Sequence, residues 1–394
     1  MALPTVHQPP LDPTFVQNPY PFYAQARAQG PLVYWHDYAM PCTTDHATTN
    51  AILRDRRFGR EPIDALPVPD HLKPFYDVEA HSMLELEPPR HTRLRGLVLR
   101  AFTNRRIKEL APEITQLTHD LIDKFPPGPG RHDLLDTFAR PLPVTIIARL
   151  LGVPEDMAPS LLRWSNAMVM MYQAGRTRAD EDTAVKATEE FVAFMRDYVK
   201  RKRNHPEDDL ITALIAAEED GEKLSTDELI TTCILLLNAG HEATVHSIGN
   251  GVKLCLEQGL TPTDAPFLEE LLRIDPPLHM FTRTAYEAVT VAGHTFQRGD
   301  QVALLLGAAN RDPAAYLNPD TFDPTRYAPG TKTPAQLAFG AGLHFCVGAP
   351  LARLELQIAL PILFQRCPQL RLTTPPRYAD IYHFHGLDAL PVAT

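Results

Sequence analysis

A mainly α fold with a small β component is predicted by three features of this chain of 394 residues. Apolar residues recur with helical spacing over long segments, whereas strand-like segments are few and short. Strands and helices do not alternate as they would in a doubly wound sheet. Hydrophobic residues make up 44% of the chain, and its 38 prolines are scattered among many loops instead of forming one linker. We therefore expect a single domain over residues 1–394.

The elements follow from periodicity in chain order. Helical spacing predicts helices at 107–124, 138–151, 184–203, 225–256, 267–274 and 350–365. Ser225 and Glu228 have the spacing of a capping box at the start of the fourth of these helices. Short strands are predicted at 31–35, 289–296 and 301–306, with a turn at Gly299-Asp300 between the last two. We expect the small β-rich portions at about 31–60, 278–306 and 370–394.

Composition narrows the class of protein. The formal net charge of −10 argues against nucleic acid as a partner. Five cysteines, odd in number and widely spaced, do not indicate a disulfide framework. The first residues lack the features of a signal peptide, and no segment approaches the ~18 apolar residues of a membrane span. We expect a cytoplasmic monomer that binds neither nucleic acid nor membranes.

Cys346 lies in a glycine-rich segment just before a predicted helix. Unpaired backbone N–H groups and the positive end of the helix dipole favour a thiolate there. Taken alone, such a cysteine is a nucleophile, a ligand of a soft metal centre or, more commonly, an inert buried thiol. Gly340, Gly342 and Gly348 indicate a backbone that approaches something flat and close. No second cysteine lies close enough in sequence to favour zinc.

The run Phe339-Gly340-x-Gly342-x-His344-x-Cys346-x-Gly348 resembles the haem-binding loop of the cytochrome P-450 family. The following Leu351-Ala352-Arg353-x-Glu355 is similar to that of the soluble bacterial members. The resemblance implies the P-450 fold, with haem b between an oxygen-activating helix and the helix after the Cys loop. It implies that Cys346 is the axial thiolate ligand of the iron and that Phe339, Gly340 and Gly348 contact the haem.

Two further charged sets fit the same family. His91 and Arg95 share one helical face, which as a bare sequence is a solvated basic face. The resemblance implies that His91, Arg95, Arg283 and His344 bind the haem propionates, because buried carboxylates need charged donors. It also implies a structural charge network behind the haem, although an E-x-x-R pair alone would be an ordinary surface ion pair. The residues of that network are Glu270, Arg273 and Arg326.

The segment Ala239-Gly240-His241-Glu242-Ala243-Thr244 resembles the oxygen-activating helix of the family. The resemblance implies that Ala239 and Gly240 leave room for O₂ and that Glu242 relays protons. Ala243 stands where the family carries a threonine whose hydroxyl assists proton delivery. Three replacements are open: Thr244, rotated by about 100° around the helix, an ordered water next to Glu242, or a polar group of the substrate. We favour water together with the substrate.

The resemblance places the substrate pocket in several separated segments. The predicted pocket residues are Leu236, Leu278, His279, Met280, Phe281 and Phe384. A histidine is unusual in an apolar pocket, and a surface or turn position explains His279, His383 and His385 equally well. If His279 lines the pocket, the substrate carries an acceptor such as a carboxylate or a phenol oxygen.

The implied activity is that of a haem-thiolate monooxygenase, which inserts one atom of O₂ into a small organic substrate. No flavin or nicotinamide fingerprint is visible, so electrons are expected from a ferredoxin and a ferredoxin reductase. Arg100, Arg105, Arg106 and Lys108 are a candidate docking patch for an acidic partner, with a solvated helix start as the alternative. Other candidate functions are a peroxide-using oxygenase, a C–C-coupling oxidase and a haem-based ligand sensor without turnover.

Overall fold

The computed structural model describes residues 2–64, 67–127, 130–173, 175–219 and 222–394, without the side chains of residues 218, 219 and 222. The chain forms two compact units. The first unit comprises Met1–Ile63, Thr118–Ala139 and Ala243–Thr394, and the second comprises Asp64–Leu117 and Arg140–Glu242.

Helices dominate the described residues, as predicted. The α-helices are α1 Pro13–Gln17, α2 Tyr20–Arg27, α3 His46–Arg54, α4 Lys73–Glu79, α5 Arg90–Ala101, α6 Asn104–Glu109, α7 Ala111–Asp123, α8 Pro141–Leu151, α9 Ala158–Val169, α10 Arg178–Asn204, α11 Leu210–Ala216, α12 Thr226–Gln258, α13 Ala265–Ile274, α14 Leu306–Asn310 and α15 Ala349–Arg366.

The strands are short. They are β1 Thr5–Val6, β2 Leu32–Trp35, β3 Met40–Thr43, β4 Phe58–Gly59, β5 Arg131–Asp133, β6 Glu218–Glu219, β7 Glu222–Lys223, β8 Met280–Ala285, β9 Val289–Val291, β10 His294–Phe296, β11 Gln301–Leu305, β12 Arg371–Leu372, β13 Arg377–Tyr378, β14 Leu387–Ala389 and β15 Pro391–Ala393.

Three predicted elements were wrong in detail. The predicted helix 138–151 begins in a π-helix, Leu135–Ala139, and its α-helical part, α8, begins at Pro141. The predicted helix 107–124 is split into α6 and α7, because Pro112 cannot continue a helix that already has a preceding turn. Pro112 is tolerated in the first turn of α7, because a backbone N–H there has no hydrogen-bond partner within the helix. The predicted strand 289–296 is a hairpin of β9 and β10, with Ala292 and Gly293 both at positive φ (48° and 79°) in the turn. Such a turn requires left-handed backbone at both positions. Because alanine rarely adopts that conformation, Ala292 gives no indication of the turn in the sequence.

The start of α12 confirms the predicted capping box. The backbone N–H of Ser225 donates to Glu228 Oε2 at 2.9 Å, and the N–H of Glu228 donates to Ser225 Oγ at 3.2 Å. Its far end is followed closely by α13, with only residues 259–264 between them. Gly259 has a φ of +65°, and Asp264 accepts from the N–H of Phe267 at 3.2 Å. The two helices therefore end and begin with standard caps.

The first unit is built around a six-stranded sheet in the order β1-β2-β3-β11-β8-β4. Strand β11 pairs parallel with β3 and antiparallel with β8. One hydrophobic cluster contains Trp35, Met280 and Tyr382, whereas Phe281 packs against another, which contains Phe296. Successive residues of β8 thus enter different clusters, as the alternation of side chains in a strand requires.

Among its described residues, the second unit has helices and one small ladder, β6–β7. Helix α10 packs along α9 and α4. Lys202 on α10 is almost fully buried and donates to Asp209 Oδ2 at 2.5 Å, while Asp209 caps α11 by accepting from the N–H of Thr212 at 2.7 Å. This buried pair fixes the turn between α10 and α11.

The predicted charge residues Glu270, Arg273 and Arg326 meet in one buried network of the first unit. The carboxylate of Glu270 receives two parallel bonds from Arg273, each of 2.7 Å, and one from Arg326 Nε at 3.2 Å. Glu270 and Arg273 are 0% exposed and Arg326 is 9% exposed. Arg273 also donates to the carbonyls of Asn310 and Pro319 at 2.8 and 2.7 Å. The buried carboxylate is therefore paired with two cations, and backbone carbonyls accept the remaining hydrogen bonds of Arg273, as burial demands.

We expect Arg326→Ala to lower the free energy of unfolding by about 1–3 kcal/mol, because Glu270 Oε1 and the carbonyls of Asn318 and Thr321 lose this hydrogen-bond donor. Urea denaturation followed by far-UV circular dichroism measures the loss. The control is Arg178→Ala, which removes an exposed helix-surface pair with Asp182 and should cost less than about 1 kcal/mol. Equal losses in the two variants would contradict a stabilising role for the network.

Candidate active site

The backbone of the Cys346 loop is tightly determined. Gly340 and Gly342 have φ of +67° and +70°, a conformation that other residues rarely adopt. A Cβ on Gly342 would lie 2.2 Å from the carbonyl oxygen of Leu53, so this glycine also permits a close approach to α3. The N–H of Cys346 donates back to the carbonyl of Phe339 at 3.0 Å. This bond closes the loop and leads Cys346 to the start of α15.

Charged side chains brace the same loop from α13 and α15. Arg353 donates to both oxygens of Glu269, with Nη2 at 3.0 Å from Oε2. The guanidinium of Arg353 lies over the ring of Phe339, 4.5 Å from its centre, a cation–π geometry. Gln336 donates to Glu269 at 3.1 Å and accepts from the N–H of Ala338 at 2.6 Å. Glu269 thus holds both ends of the loop.

Cys346 differs from the other cysteines in its exposure. It is exposed, whereas Cys42, Cys233, Cys255 and Cys367 are buried. Burial raises the pKa of Cys42, Cys233 and Cys255 to about 12, so these groups stay protonated thiols. Because metal ligation and nucleophilic attack both need an accessible thiolate, Cys346 is the cysteine suited to chemistry.

Strand β8 packs against the Cys346 loop. The ring of Phe281 lies 3.2 Å from the position that a Cβ on Gly340 would take, so β8 and the Cys346 loop are in contact. Arg283 follows on β8; it is buried and donates to the carbonyl of Thr282 at 2.8 Å. His344 ends the short 3₁₀ turn Gly342–His344, two residues before Cys346.

The second unit carries the other predicted haem contacts. His91 and Arg95 lie one turn apart on α5, and His91 is 1% exposed. Between them, Arg93 forms an ion pair with Glu228 at the start of α12. This pair holds α5 against α12 and so fixes the direction of the face that bears His91 and Arg95.

The predicted oxygen-activating segment lies in the middle of the continuous helix α12. A Cβ on Gly240 would lie 2.9 Å from Cγ1 of Ile147 on α8, so close helix packing requires a glycine here. The prediction that Ala239 and Gly240 leave room for O₂ stays a prediction. Glu242 is partly exposed, and its Oε2 lies 3.7 Å from Nε2 of the buried His241.

The environment of Ala243 includes a residue that the sequence analysis missed. Ser247, one turn further along α12, is buried and donates to the carbonyl of Ala243 at 2.8 Å. Positions i and i+4 share a helical face, so this hydroxyl lies next to the position of the missing threonine. Thr244 is also buried, on a face turned by about 100°. The sequence feature that indicates this role for Ser247 is its position four residues after Ala243 in a predicted helix.

The predicted pocket residues have mixed environments. Leu236 is buried in α12, and Met280 belongs to the hydrophobic core of the first unit. Leu278 and Phe384 are partly buried and face each other in an isolated β-bridge. His279 is wholly buried, not on the surface, and its Nδ1 lies 2.8 Å from the hydroxyl of Tyr23. Contact of these residues with a substrate stays a prediction.

Comparison with known proteins decides the family. The family model described as Cytochrome P450 matches residues 64–258 and 263–377. The chain therefore belongs to the cytochrome P450 family. It is an oxidoreductase of the monooxygenase type, and it has the mainly α P450 fold. The interruption of the match at 259–262 falls in the short connection between α12 and α13.

Several relatives are similar over nearly the whole chain. The biotin biosynthesis cytochrome P450 of Bacillus subtilis is 37% identical and covers 96% of each chain. The monooxygenase PikC of Streptomyces venezuelae is 36% identical over 97% of this chain and 92% of that protein. The crystal structure of P450BioI with an acyl carrier protein bearing hexadec-9Z-enoic acid has a TM-score of 0.89, at 36% identity, 97% coverage of this chain and 99% of that one.

Cytochromes P450 carry haem with a cysteine thiolate as axial ligand, and the residues of this chain fit that group. The fit rests on the exposed Cys346 and on Gly340 and Gly342, whose positive φ values give its loop a backbone path that other residues rarely adopt. Within the first unit, the buried Arg283 supplies a cation for carboxylates. Among the described residues, every helix is too short or too polar to span a lipid bilayer.

Glu355, on α15 two turns after Cys346, is a second unusual group. It is 0% exposed, and within the described part of the chain neither carboxyl oxygen has a hydrogen-bond partner. Burial raises its pKa well above the usual range, because an isolated charge is disfavoured in an apolar environment. Burial therefore favours the protonated, neutral form of this side chain over the carboxylate.

We expect Glu355→Gln to gain stability relative to the wild type as pH rises from about 5 to 7. In the wild type, the unfolded state ionises above about pH 4.3 while the folded state keeps the proton, so stability falls by up to about 1.4 kcal/mol per pH unit until the folded pKa is reached. Glutamine does not titrate. Urea denaturation of the haem-loaded proteins at several pH values measures this difference.

Glu287→Gln, at an exposed position, is the control and should show no such trend. A difference between Glu355→Gln and the wild type that stays constant or shrinks with rising pH would show that Glu355 is ionised in the folded protein.

Proposed function

We propose that this P450 inserts one oxygen atom of O₂ into a small organic substrate, with haem b ligated by Cys346. The observation that carries the proposal is the exposure of Cys346 alone among five cysteines, on a loop braced by Glu269 and Arg353. When bound, the haem supplies the site at which O₂ is activated, and the thiolate donates electron density to its iron.

The roles of the other residues follow from their charge and size. His91, Arg95, Arg283 and His344 hold the haem propionates, which need hydrogen-bond donors or cations. Phe339, Gly340 and Gly348 shape the surface on which the ring lies. Ala239 and Gly240 on α12 carry no bulky side chains and so leave room for O₂.

Proton delivery is proposed to run through Glu242 and ordered water. Glu242 is partly exposed, so it can exchange protons with solvent, and Nε2 of the adjacent His241 lies 3.7 Å from its Oε2. Because Ala243 has no hydroxyl, a water molecule beside it takes the next proton-carrying position. Ser247 already donates its proton to the carbonyl of Ala243, so its oxygen remains available to accept a hydrogen bond from that water.

Electrons are proposed to come from a separate ferredoxin and its reductase, without a flavin or nicotinamide bound to this chain. Some of the candidate docking residues already form ion pairs within the chain, which limits their contact with a partner protein. Arg106 is paired with Asp208 at 3.1 Å, whereas Arg105 lies 3.8 Å from Glu109 with both side chains strongly exposed. Arg105 and Lys108, both exposed, are thus the better candidates for contact with an acidic partner.

The test is a screen for ligands that shift the Soret band of the ferric protein from low to high spin, followed by turnover under ¹⁸O₂. The screen contains small acids, phenols, terpenoids and an acyl chain on an acyl carrier protein, since P450BioI binds such a protein. We expect a binding compound to yield a product with one ¹⁸O atom when ferredoxin, reductase and NAD(P)H are present. Cys346→Ala should abolish product formation.

Three outcomes would overturn this function. Equal product with hydrogen peroxide and no protein partner indicates a peroxide-using oxygenase. Oxidative coupling without ¹⁸O in the product indicates a C–C-coupling oxidase. Ligand binding without any product, despite reduction by the ferredoxin, indicates a sensor.

We expect Thr244→Val to leave the ratio of product to NAD(P)H consumed unchanged, because its hydroxyl lies on another face of α12 than Ala243. Glu242→Gln should lower turnover at least about tenfold, since it removes the proton-carrying carboxylate. Both are measured with the compound identified above. A loss of coupling in Thr244→Val would show instead that Thr244 replaces the missing threonine.

A further inference from the structure

Asp275, His279 and His385 form a cluster in the first unit. Asp275 and His279 lie between α13 and β8, and His385 lies before β14. One ligand atom of each side chain lies within 4.8 Å of the other two. The three residues are 8%, 0% and 2% exposed. Two imidazoles and one carboxylate are a donor set that zinc binds in proteins.

The hydrogen bonds of His279 leave one of its nitrogens as an electron-pair donor. The hydroxyl of Tyr23 donates its proton to Tyr382 at 2.9 Å, so its oxygen can only accept from His279 Nδ1, 2.8 Å away. The proton of the neutral ring is therefore on Nδ1. Nε2 of this fully buried ring makes no hydrogen bond within the described part of the chain. A ligating histidine is commonly held in this way, by a hydrogen bond from its other nitrogen.

The carboxylate of Asp275 is oriented by phenols. Tyr20 donates to Oδ1 at 2.7 Å and Tyr378 donates to Oδ2 at 2.5 Å. Nε2 of His385 lies 3.4 Å from Oδ1, and its ring stacks on Tyr378 at 3.8 Å. Hydrogen bonds of this kind fix ligating carboxylates and leave their remaining lone pairs for an ion.

The backbone around the cluster is also fixed. The N–H of His279 donates to the carbonyl of His383 at 3.3 Å, and the N–H of His385 donates to Pro277 at 2.9 Å. Asn250 donates to the carbonyl of His385 at 2.8 Å. A Cβ on Gly307 would lie 2.8 Å from His279 Nδ1, so only glycine leaves room for this ring. The three side chains are therefore held together before any ion binds.

We propose that Asp275, His279 and His385 bind one Zn²⁺ ion, with His279 ligating through Nε2. Zinc with ligands at about 2.0–2.1 Å in tetrahedral geometry places donor atoms about 3.4 Å apart. The ligand atoms of the three side chains lie within 4.8 Å of one another, so side-chain movements of about 1 Å would bring them to the spacing that zinc requires. The guanidinium of Arg311, a nearby cation, lies over the Tyr20 ring, 3.3 Å from its centre, and donates to the carbonyl of Ile274 at 2.7 Å.

The ion would connect two segments that are distant in sequence. It would tie 275–279 to 383–385, which otherwise meet through backbone bonds and the Leu278–Phe384 bridge. Leu278 and Phe384 are both predicted pocket residues, so zinc would set the spacing of these two side chains. This inference does not depend on the proposed function.

The test uses untagged, haem-loaded protein, so that Cys346 is not free to bind zinc. A second cluster, His7, His36 and Asp37, is exposed and is removed in advance by His36→Gln in every sample. After treatment with a chelating resin and equilibration with zinc chloride, elemental analysis should give about one zinc per haem iron. Adding His385→Gln should lower this ratio at least tenfold, and Tyr378→Phe should weaken zinc binding by about 10–100-fold.

X-ray absorption at the zinc edge supplies a measurement that needs no further variant. It should show nitrogen and oxygen ligands with histidine scattering at about 2.0–2.1 Å and no sulfur at about 2.3 Å. Absence of zinc from the His36→Gln protein would overturn the proposal, as would sulfur ligation or unchanged zinc content after His385→Gln. In that case the cluster is a hydrogen-bonded His–Asp pair without a metal.

Discussion

The active-site loop depends on the position of one buried carboxylate, that of Glu270. Its two oxygens receive Arg273, Arg326 and the N–H of Asp323. Through Arg273 they also fix the carbonyls of residues 310 and 319, so the chain that leads into the Cys346 loop is held along much of its length. Glu269, the preceding residue of α13, binds Arg353 on α15. Glu269 and Glu270, adjacent on α13, thus fix the chain segment before the Cys346 loop and the helix that follows it.

This arrangement explains which parts of the molecule the sequence predicts well. The Cys346 loop and its helix are encoded within about twenty consecutive residues, where glycine, cysteine and proline have strong local preferences. The ion network is encoded by short patterns in a fixed chain order. The break at Pro112 was also readable from the local sequence, whereas the hairpin at Ala292 was not, since alanine rarely adopts positive φ.

Tertiary contacts account for what the sequence did not predict. The histidines 279 and 385 are conspicuous in the sequence, but their meeting with Asp275 depends on the pairing of distant segments. Gly240 is a second example. The sequence motif indicates that a glycine here leaves room for O₂, whereas the structure shows that Ile147 of α8 also packs against it. A residue in a functional motif can therefore also be required by helix packing, so a substitution at Gly240 would change packing as well as any effect on O₂.

The unequal burial of the five cysteines has a practical consequence. Four thiols are enclosed in the protein interior, whereas that of Cys346 is accessible. An alkylating reagent should therefore modify the folded apoprotein at one position, and haem should block it by occupying the sulfur. The fraction of protein protected from alkylation would then report how much of a preparation has acquired its prosthetic group, even where absorbance cannot distinguish bound from loosely associated pigment.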